Sequence, residues 1–491
     1  MGRATAAMLL GLALIAGPAA AQAPAHPDLT LTGEITGRDH QTYREVPFDV
    51  PPGVRRVTVT LAYDRANRTV IDLGVWDPER FRGWSGGTRD RFTLSASDAS
   101  PGYLAGTIPA GRWRAMLGVP NVRSNSRSRY TVTVSFDRAG RTGATDAISD
   151  PPLRSGPGWY RGDFHMHDAH SDGSCASQSG RRVPCPLFRT VDAAARAGLD
   201  FVAVTDHNTT AHFGELRELQ PWFDHMLLIP GVEVTTFRGH ANIFNPSGFV
   251  DFRVGAPGVP DVVALQRSVA ASGAILSINH PAAPSGEDCM GCGWAQPGTN
   301  YAMVSAVEVV NGPLAEGPYS GLAFWYARLN EGYRITGIAG SDNHDPDAPG
   351  NKPPIGRPAT VVHAASLSRM DVLAGLRAGN VFIDVDGTRD RMLEVEASSG
   401  GRRAVMGGFL DPTGGISVKI RAKTGTVATA SLIGDGMEIG RKPISGTGEH
   451  DLRFTIDARR AAKWISVNLR DDAGHLLAIG NPIYLAPART R

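Results

Sequence analysis

Histidine and aspartate are concentrated in one short segment of the sequence, GDFHMHDAHSDG at residues 162–173. The segment holds three histidines and three aspartates in twelve positions. Buried ionisable groups are costly without partners, so an ordinary structural strand rarely carries so many of them. His165 and His167 are two positions apart, and residues with this spacing lie on the same face of a strand. Both imidazoles can therefore bind one metal ion.

Further acids and imidazoles stand at the ends of other apolar segments, which gives a set of candidate metal ligands. The set comprises His165, His167, Asp172, His207, Glu233, His240, His280, Asp342 and His344. A catalytic ion typically takes three protein ligands and water, so these nine residues suit two or three divalent ions, with Glu233 able to bridge two. Mixed nitrogen and oxygen ligands suit zinc, which we favour, or manganese or iron. Such ions lower the pKa of bound water to about 7, and the metal-bound hydroxide can attack phosphoesters, carboxylesters, amides or carbamates.

The elements that carry these residues alternate between short apolar strands and helical segments from Trp159 onward. The predicted strands are 160–167, 200–207, 226–234, 240–246, 274–281, 305–311 and 334–344. The predicted helices are 190–199, 213–223, 260–272, 321–332 and 370–379. This alternation predicts an α/β fold with a parallel sheet or barrel. Functional groups of α/β barrels lie at the carboxyl ends of the strands, where most of the candidate ligands stand.

Two regions of β character flank the region from 159 to 386. Residues 28–137 and 390–491 alternate apolar and polar positions between turn signals, which predicts a β-sandwich domain at each end. Residues 138–158 are rich in glycine, proline, serine and arginine and are predicted to form a linker.

The amino terminus has the features of a signal peptide over residues 1–21. Arg3 precedes an apolar run, and Ala19 and Ala21 precede the expected cleavage site. The apolar run is too short to span a bilayer, so we expect an exported protein without a membrane span, either periplasmic or secreted. The net charge of +2 gives no broad basic field, which argues against a nucleic-acid partner.

Four cysteines fit an oxidising compartment, where an even number suggests disulfides. We favour the local pairs Cys175–Cys185 and Cys289–Cys292 among the three connectivities that four cysteines allow. The spacing of Cys289 and Cys292 also occurs in redox and zinc motifs, and these readings stay open.

The motifs DFHMHDAHSDG, VTDHN, PGVEVT, GHANIF, INHP and GSDNH occur in this order. With them, the region from 159 to 386 resembles the PHP (polymerase and histidinol phosphatase) superfamily. IGRPATVVHA followed by VLAGLRAGNVFI is similar to the exported metallohydrolases of its CehA/McbA subgroup. The resemblance implies a distorted (β/α)7 PHP barrel.

The resemblance also implies a division of the ligands among three metals. One metal would be bound by His165, His167, Glu233 and Asp342, a second by Glu233, His240 and His280, and a third by Asp172, His207 and His344. The sequence departs from the family at Asp168, where a threonine is common, and at His170. Both residues could alter substrate contacts or be solvated loop positions.

Several neighbours of the ligands are candidates for supporting roles. Asp163 and Asp206 could orient imidazoles, although Asp206 could equally be a structural acceptor. Asn208 and Asn343 could donate to a substrate oxygen or cap turns. Arg357 could bind a phosphate or lie on the surface.

The sequence therefore predicts a metal-dependent hydrolase of a small-molecule ester, with phosphoesters as the default substrate. A carboxylester, amide or carbamate hydrolase with the same site is the alternative that the CehA/McbA resemblance implies. A non-catalytic metal-binding envelope module is a further alternative, and an extracellular nuclease lacks a clear basic groove. The flanking domains could contact glycan or protein, with Trp76, Trp84 and Trp113 as the aromatic residues expected to be exposed.

Overall fold

A computed structural model of the chain describes most of its residues. Described are 27–485 apart from 86–88, 139–150, 287, 288, 290, 348–353 and 458–461. The predicted signal peptide and most of the predicted linker lie outside the described residues, so both stay predictions. Among the described residues, no helix is both long enough and apolar enough to cross a membrane.

The first part of the chain forms two antiparallel sheets around one apolar core. Its strands are β1 (Leu29–Thr36), β2 (Thr42–Val50), β3 (Arg56–Tyr63), β4 (Val70–Trp76), β5 (Phe81–Trp84), β6 (Arg91–Ser95), β7 (Gly111–Asn121) and β8 (Arg127–Asp137). The sheet orders are β1-β8-β3-β6 and β2-β7-β4-β5. Alternating side chains such as Val57, Val59 and Leu61 are buried between the sheets, as the period of two predicts.

The expectation that Trp113 is exposed is wrong. Its side chain is fully buried in this core, and its indole Nε1 donates to the carbonyl oxygen of Pro109 at 2.9 Å. Trp76 and Trp84 are only partly buried. An aromatic residue in a β-strand faces the core or the solvent according to its register, which turn signals alone do not fix.

The middle part of the chain contains all seven predicted strands and all five predicted helices. Its strands are β9 (Gly158–Asp163), β10 (Ser174–Ala176), β11 (Arg182–Pro184), β12 (Phe201–Val204), β13 (Leu227–Thr236), β14 (Gly239–Phe244), β15 (Ile275–Ile278), β16 (Ala306–Asn311), β17 (Thr336–Gly340), β18 (Ala359–Ala364) and β19 (Val381–Asp384). Its helices are α1 (Leu187–Ala197), α2 (Phe213–Leu219), α3 (Val262–Ala271), α4 (Leu322–Asn330) and α5 (Arg369–Ala378). Several strands end before the histidines and acids of their motifs: β9 ends at Asp163, β12 at Val204 and β17 at Gly340.

Apart from β10 and β11, which form a separate antiparallel pair, these strands belong to one mixed sheet, and its hydrogen bonding does not show the predicted (β/α)7 barrel. β9, β12 and β13 are parallel neighbours, as are β15, β16 and β17, but β14 pairs antiparallel with both β13 and β15. Among the described residues, the two ends of this series meet through one isolated parallel bridge, between Met166 after β9 and Asn343 after β17.

The last part of the chain completes this sheet. Its strands are β20 (Met392–Ser399), β21 (Arg402–Val405), β22 (Ile416–Thr424), β23 (Ala428–Gly434), β24 (Met437–Ile444), β25 (Gly448–Ile456), β26 (Trp464–Arg470), β27 (Leu476–Gly480) and β28 (Ile483–Tyr484). β27 pairs with β19, so β23, β24, β26, β27 and β28 extend one fourteen-stranded sheet. The order β21-β20-β22-β25 forms a second sheet, and Val361 and Phe382 share its apolar cluster. The predicted boundary near residues 386–390 stays a prediction, since both sheet and core continue across it.

A buried charge cluster connects the middle and last parts. Asp384 is fully buried, and its two carboxylate oxygens accept from Arg161 and Arg391, each at 2.6 Å. We expect Asp384→Ala to lower the free energy of unfolding by about 3–5 kcal/mol, because the buried guanidinium of Arg161 loses its ion-pair partner and that of Arg391 keeps only the half-exposed Asp386. Denaturant unfolding followed by circular dichroism measures this difference.

Asp390→Ala is the matched control, since that exposed carboxylate lies 3.7 Å from Lys423. Its loss is expected to be below about 1 kcal/mol. Equal, small losses in both variants would contradict the role given to Asp384.

Candidate metal centre

The nine predicted ligands come from strand ends that lie side by side at one rim of the mixed sheet. His165 and His167 follow β9, and His207 follows β12. Glu233 lies within β13, where an isolated parallel bridge pairs it with His207. The remaining ligands belong to the loop after β9, to β14 and to the segments after β15 and β17: Asp172, His240, His280, Asp342 and His344.

The structure brings these side chains together in overlapping sets whose ligand atoms lie within 4.8 Å of one another. The first set is His165, His167, Glu233 and Asp342. The second set is His167, Asp172, His207 and His344. A third set contains His240, His280 and Cys292. All nine predicted ligands are in one of these sets, and the sequence reasoning had not placed Cys292 among them.

Glu233 is the carboxylate around which the imidazoles gather. Its Oε1 lies 3.3 Å from Nδ1 of His240 and 3.3 Å from Nε2 of His280. Its Oε2 lies 3.3 Å from Nε2 of His165 and 3.0 Å from Nδ1 of His207. One carboxylate therefore faces imidazoles of different sets with its two oxygens, which is the position of a bridging ligand.

The electrostatics of the cluster are those of densely packed opposite charges. Burial alone would raise the pKa of Glu233, but the neighbouring charges of His165 and His207 hold it well below its usual range. Burial would also raise the pKa of Asp342, but the charge of His165 outweighs it and holds this pKa well below its usual range. Burial would lower the pKa of His165, but Asp342, Glu308 and Glu233 raise it well above 6.5. In the metal-free protein, protons thus supply the positive charge that bound cations would supply.

A residue that fits a metal ion has a buried ligand atom that no hydrogen bond occupies, and His165 has such an atom. Nε2 of His165 has no hydrogen-bond partner among the described residues, although it lies 3.3 Å from Glu233 Oε2 and 3.2 Å from Asp342 Oδ1. Its other nitrogen, Nδ1, faces Glu308 at 3.0 Å. An imidazole anchored through one nitrogen and bare at the other, beside two carboxylates, is the usual arrangement of a metal ligand. The residues therefore fit divalent ions.

Glu308 is a functional residue that the sequence reasoning missed. It is buried on β16, with Oε1 at 3.0 Å from Nδ1 of His165 and Oε2 accepting from the backbone N–H of His280 at 2.9 Å. Asn311 is the last residue of the same strand, and its side-chain amide donates to Glu308 at 3.1 Å and to Asp342 at 3.2 Å. The sequence feature that could have revealed Glu308 is its place as a single acid inside the apolar run AVEVV. A core strand tolerates such an acid only when the acid has hydrogen-bond or charged partners.

The predicted supporting residues Asp163 and Asn208 have backbone groups as their hydrogen-bond partners. Asp163 accepts from the N–H groups of His165, Ser341 and Gly356 at 2.8–3.1 Å, which ties β9 to the segments after β17. Asn208 exchanges two hydrogen bonds with the backbone of Thr235.

Two further candidates, Asn343 and Arg357, also lie away from the ligand atoms. Asn343 is buried. Its side-chain Nδ2 donates to the carbonyl oxygen of Asp345, and its Oδ1 accepts from the backbone N–H of Asp345. Arg357 is exposed, and within the described part of the chain its side chain makes no contact with a ligand.

Asp206 is fully buried, and the imidazole that its carboxylate faces is that of His212, which is not one of the nine predicted ligands. Its Oδ1 accepts from the backbone N–H of Asp168 at 3.0 Å and from the hydroxyl of Ser171 at 2.5 Å. Its Oδ2 lies 3.5 Å from Nδ1 of His212. Burial and the charge of Asp206 raise the pKa of Asp168 to about 7.

Both favoured disulfides are present. Cys175 in β10 is joined to Cys185, which directly follows β11, and their Cα atoms are 4.9 Å apart. Cys289 and Cys292 are joined in the loop after β15. As a disulfide sulfur, Cys292 has no thiolate to offer to an ion beside His240.

Comparisons with known proteins give distant likenesses. No family model matches the chain, and no curated protein matches it. A two-domain protein from Bacteroides vulgatus, containing a predicted PHP-like metal-dependent phosphoesterase, is similar over 70% of this chain and 97% of its own, at 19% identity and a TM-score of 0.38. A proposed metal-dependent phosphoesterase from Bifidobacterium adolescentis is similar over 39% of this chain and 90% of its own, at 15% identity and a TM-score of 0.28. At these TM-scores the likenesses establish neither a family nor an activity.

Replacing Glu308 tests its role in holding His165. We expect Glu308→Gln to lower metal affinity by about 10–100-fold, because the isosteric amide removes the charge that polarises the imidazole. Competition with a chromophoric chelator measures the affinity. Glu449→Gln, an exposed change on β25, serves as the control. Unchanged affinity in a folded Glu308→Gln protein would contradict this role.

The pKa of His344 predicts a pH dependence of metal binding. Burial would lower it, but the hydrogen bond with Asp172 and the charge of Asp342 raise it to about 9. An ion entering the set with His207 must therefore displace a proton at neutral pH. We expect its affinity to increase between pH 7 and 9, by up to about tenfold per pH unit for one released proton.

Calorimetry in buffers of different ionisation enthalpy measures the protons released on binding. Metal binding with neither proton release nor pH dependence below 9 would show that the proton on His344 does not compete with the ion.

Proposed function

We propose that this chain is a metal-dependent hydrolase whose site takes two or three divalent ions, for which we favour zinc. The observation that carries the proposal is the convergence of nine imidazole and carboxylate side chains around the buried carboxylate of Glu233. A purely structural set of this kind would have to keep many buried charges balanced by protons alone, which is costly. Ions bound by these residues would supply Lewis acidity and activate water for attack on an ester.

The exposure of the ligands gives the site an inner and an outer side. His165 and Glu233 are fully buried, whereas Asp172, His207 and His344 have side chains that are 57%, 26% and 30% exposed. A substrate therefore approaches from the outer side, where these three residues meet the solvent. Glu308 and Asn311 stand behind the inner ligands and hold their geometry while the outer side exchanges substrate and product.

Phosphoesters are the substrate class that we propose. Several cations at one rim can neutralise the non-bridging and leaving oxygens of a phosphoryl group together, which a single ion cannot. The ordered motifs support a PHP-type phosphoesterase of the CehA/McbA kind. The parallel bridge between Met166 and Asn343 supports a further proposal, that the strands from β9 to β17 enclose a distorted barrel of that family's type.

We also propose that the protein is exported to the periplasm or secreted. The support is the signal-peptide pattern of residues 1–21 together with two disulfides near the site.

The proposed function is tested with a substrate panel. Purified protein supplied with zinc or manganese is assayed on p-nitrophenyl phosphate, bis-p-nitrophenyl phosphate and a naphthyl carbamate. We expect hydrolysis of a phosphoester that chelation abolishes and added metal restores. Glu233→Gln is expected to lower kcat/KM by at least about 100-fold, because the charge shared between ligand sets is lost, and Glu449→Gln leaves it unchanged.

The other outcomes separate the alternatives. Hydrolysis of the carbamate alone would assign the site to the carboxylester, amide or carbamate class. Bound metal without hydrolysis of any substrate would favour the non-catalytic envelope module, and absence of both metal and hydrolysis would refute the hydrolase.

A further inference from the structure

A separate group of titratable side chains lies behind the ligand cluster, on the opposite face of the same two strand ends. Successive side chains of an extended segment point to opposite faces, so His167 and His207 face the cluster while Asp168 and Asp206 face away from it. The backbone N–H of Asp168 donates to Asp206 Oδ1 at 3.0 Å. His170 joins them, and one ligand atom from each of Asp168, His170 and Asp206 lies within 4.8 Å of the others.

The two carboxylates are fully buried, and each has one oxygen without a hydrogen bond. Asp168 Oδ1 accepts from the backbone N–H of His170 and faces Nδ1 of its imidazole, both at 2.7 Å. Asp206 Oδ1 accepts from the hydroxyl of Ser171 at 2.5 Å. Oδ2 of Asp168 and Oδ2 of Asp206 accept no hydrogen bond in the described part of the chain. Buried carboxylate oxygens without donors are expensive, so this group lacks a positively charged partner.

His212 does not supply that partner in its neutral form. Its Nε2 lies 3.2 Å from the carbonyl oxygen of Val204 and 3.0 Å from that of Gly231, so Nε2 carries a proton and donates to them. Its Nδ1 is buried without a hydrogen bond and lies 3.5 Å from Asp206 Oδ2. In the neutral imidazole Nδ1 is an acceptor, so this atom, like Oδ2 of Asp168 and Oδ2 of Asp206, lacks a donor.

Among the described residues, the charged contacts of Asp168 and Asp206 are with histidines alone. Asp168 pairs with His170, and Asp206 lies beside His212. Nε2 of His170 lies 3.8 Å from the carboxylate of Glu215, a third acid on the same side. Three acids, two of them buried, are thus balanced by two histidines without a permanent positive charge.

We propose that Asp168, His170 and Asp206 form an additional binding site for one divalent cation, distinct from the nine-ligand centre. Two carboxylates and one imidazole suit a first-row ion such as zinc or manganese. A cation at this point gives the two buried carboxylates a positively charged partner, with the hydroxyl of Ser171 close by.

The ion would hold the loop that supplies Asp172 to the outer ligand set. The carbonyl oxygen of Asp168 accepts from the N–H groups of Ser171 at 3.2 Å and Gly173 at 2.9 Å, so this loop folds tightly around Asp168. A shared ion that joins Asp168 and His170 to Asp206, just after β12, fixes the part of the loop that leads into Asp172. The ion's role is therefore structural, and no step of hydrolysis passes through it.

Metal stoichiometry tests the site directly. Full-length protein is saturated with zinc, freed of excess by gel filtration and analysed by elemental mass spectrometry. We expect His170→Gln to contain about one equivalent less than the unmodified protein, because it removes the imidazole ligand of this site. The side chain of His170 is partly exposed, so the substitution does not open a core cavity. His225→Gln, which changes an exposed histidine, is the control with unchanged content.

Two further variants keep this result separate from the nine-ligand centre. In an Asp172→Asn background, where the outer ligand set is weakened, His170→Gln is again expected to remove about one equivalent. Asp168→Asn, nearly identical in shape, is also expected to contain about one equivalent of zinc less. Added zinc is expected to raise its melting temperature by less than it raises that of the unmodified protein. Unmodified metal content in both His170→Gln and Asp168→Asn would overturn the proposal, whatever the activity of the protein.

Discussion

The arrangement of the site depends on the buried carboxylate of Glu233. A carboxylate that has left water must be surrounded by positive charge, and here the surrounding groups are imidazoles from several different strands. None of those strands supplies enough charge by itself. The ends of β9, β12, β14 and β15 therefore have to meet around β13.

A layer of residues that bind no ion keeps this geometry in place. Asp163 joins the backbone of His165 to Ser341 and Gly356, and Glu308 joins His165 to the backbone of His280. These contacts connect segments that are far apart in sequence, so the ligand positions are largely fixed before any ion binds. Preorganisation of this kind favours metal affinity, because little ordering remains to be done on binding.

The parts of the site that sequence could predict are those with local signals. Paired histidines, acids at strand ends and alternating strands and helices are visible within short windows. From them the sequence predicted the twelve elements that the structure contains and the nine candidate ligands whose side chains it brings together. Glu308 was missed because one acid in an apolar strand has no spacing partner. Asp163 was expected to orient an imidazole, but its partners are backbone N–H groups of segments that lie far apart in sequence, which short sequence windows do not reveal. The fourteen-stranded sheet was not foreseen because the pairing of β19 with β27 joins residues about a hundred positions apart.

The continuity of that sheet has a practical consequence for handling the protein in pieces. A fragment that stopped near residue 386 would leave β19 without β27, and its row of free N–H and C=O groups would become an open edge. Such an edge is a template for strands of neighbouring molecules, so the fragment is prone to aggregate even if its own ligand residues are intact. For expression and crystallisation, the two parts of the chain are best treated as one folding unit.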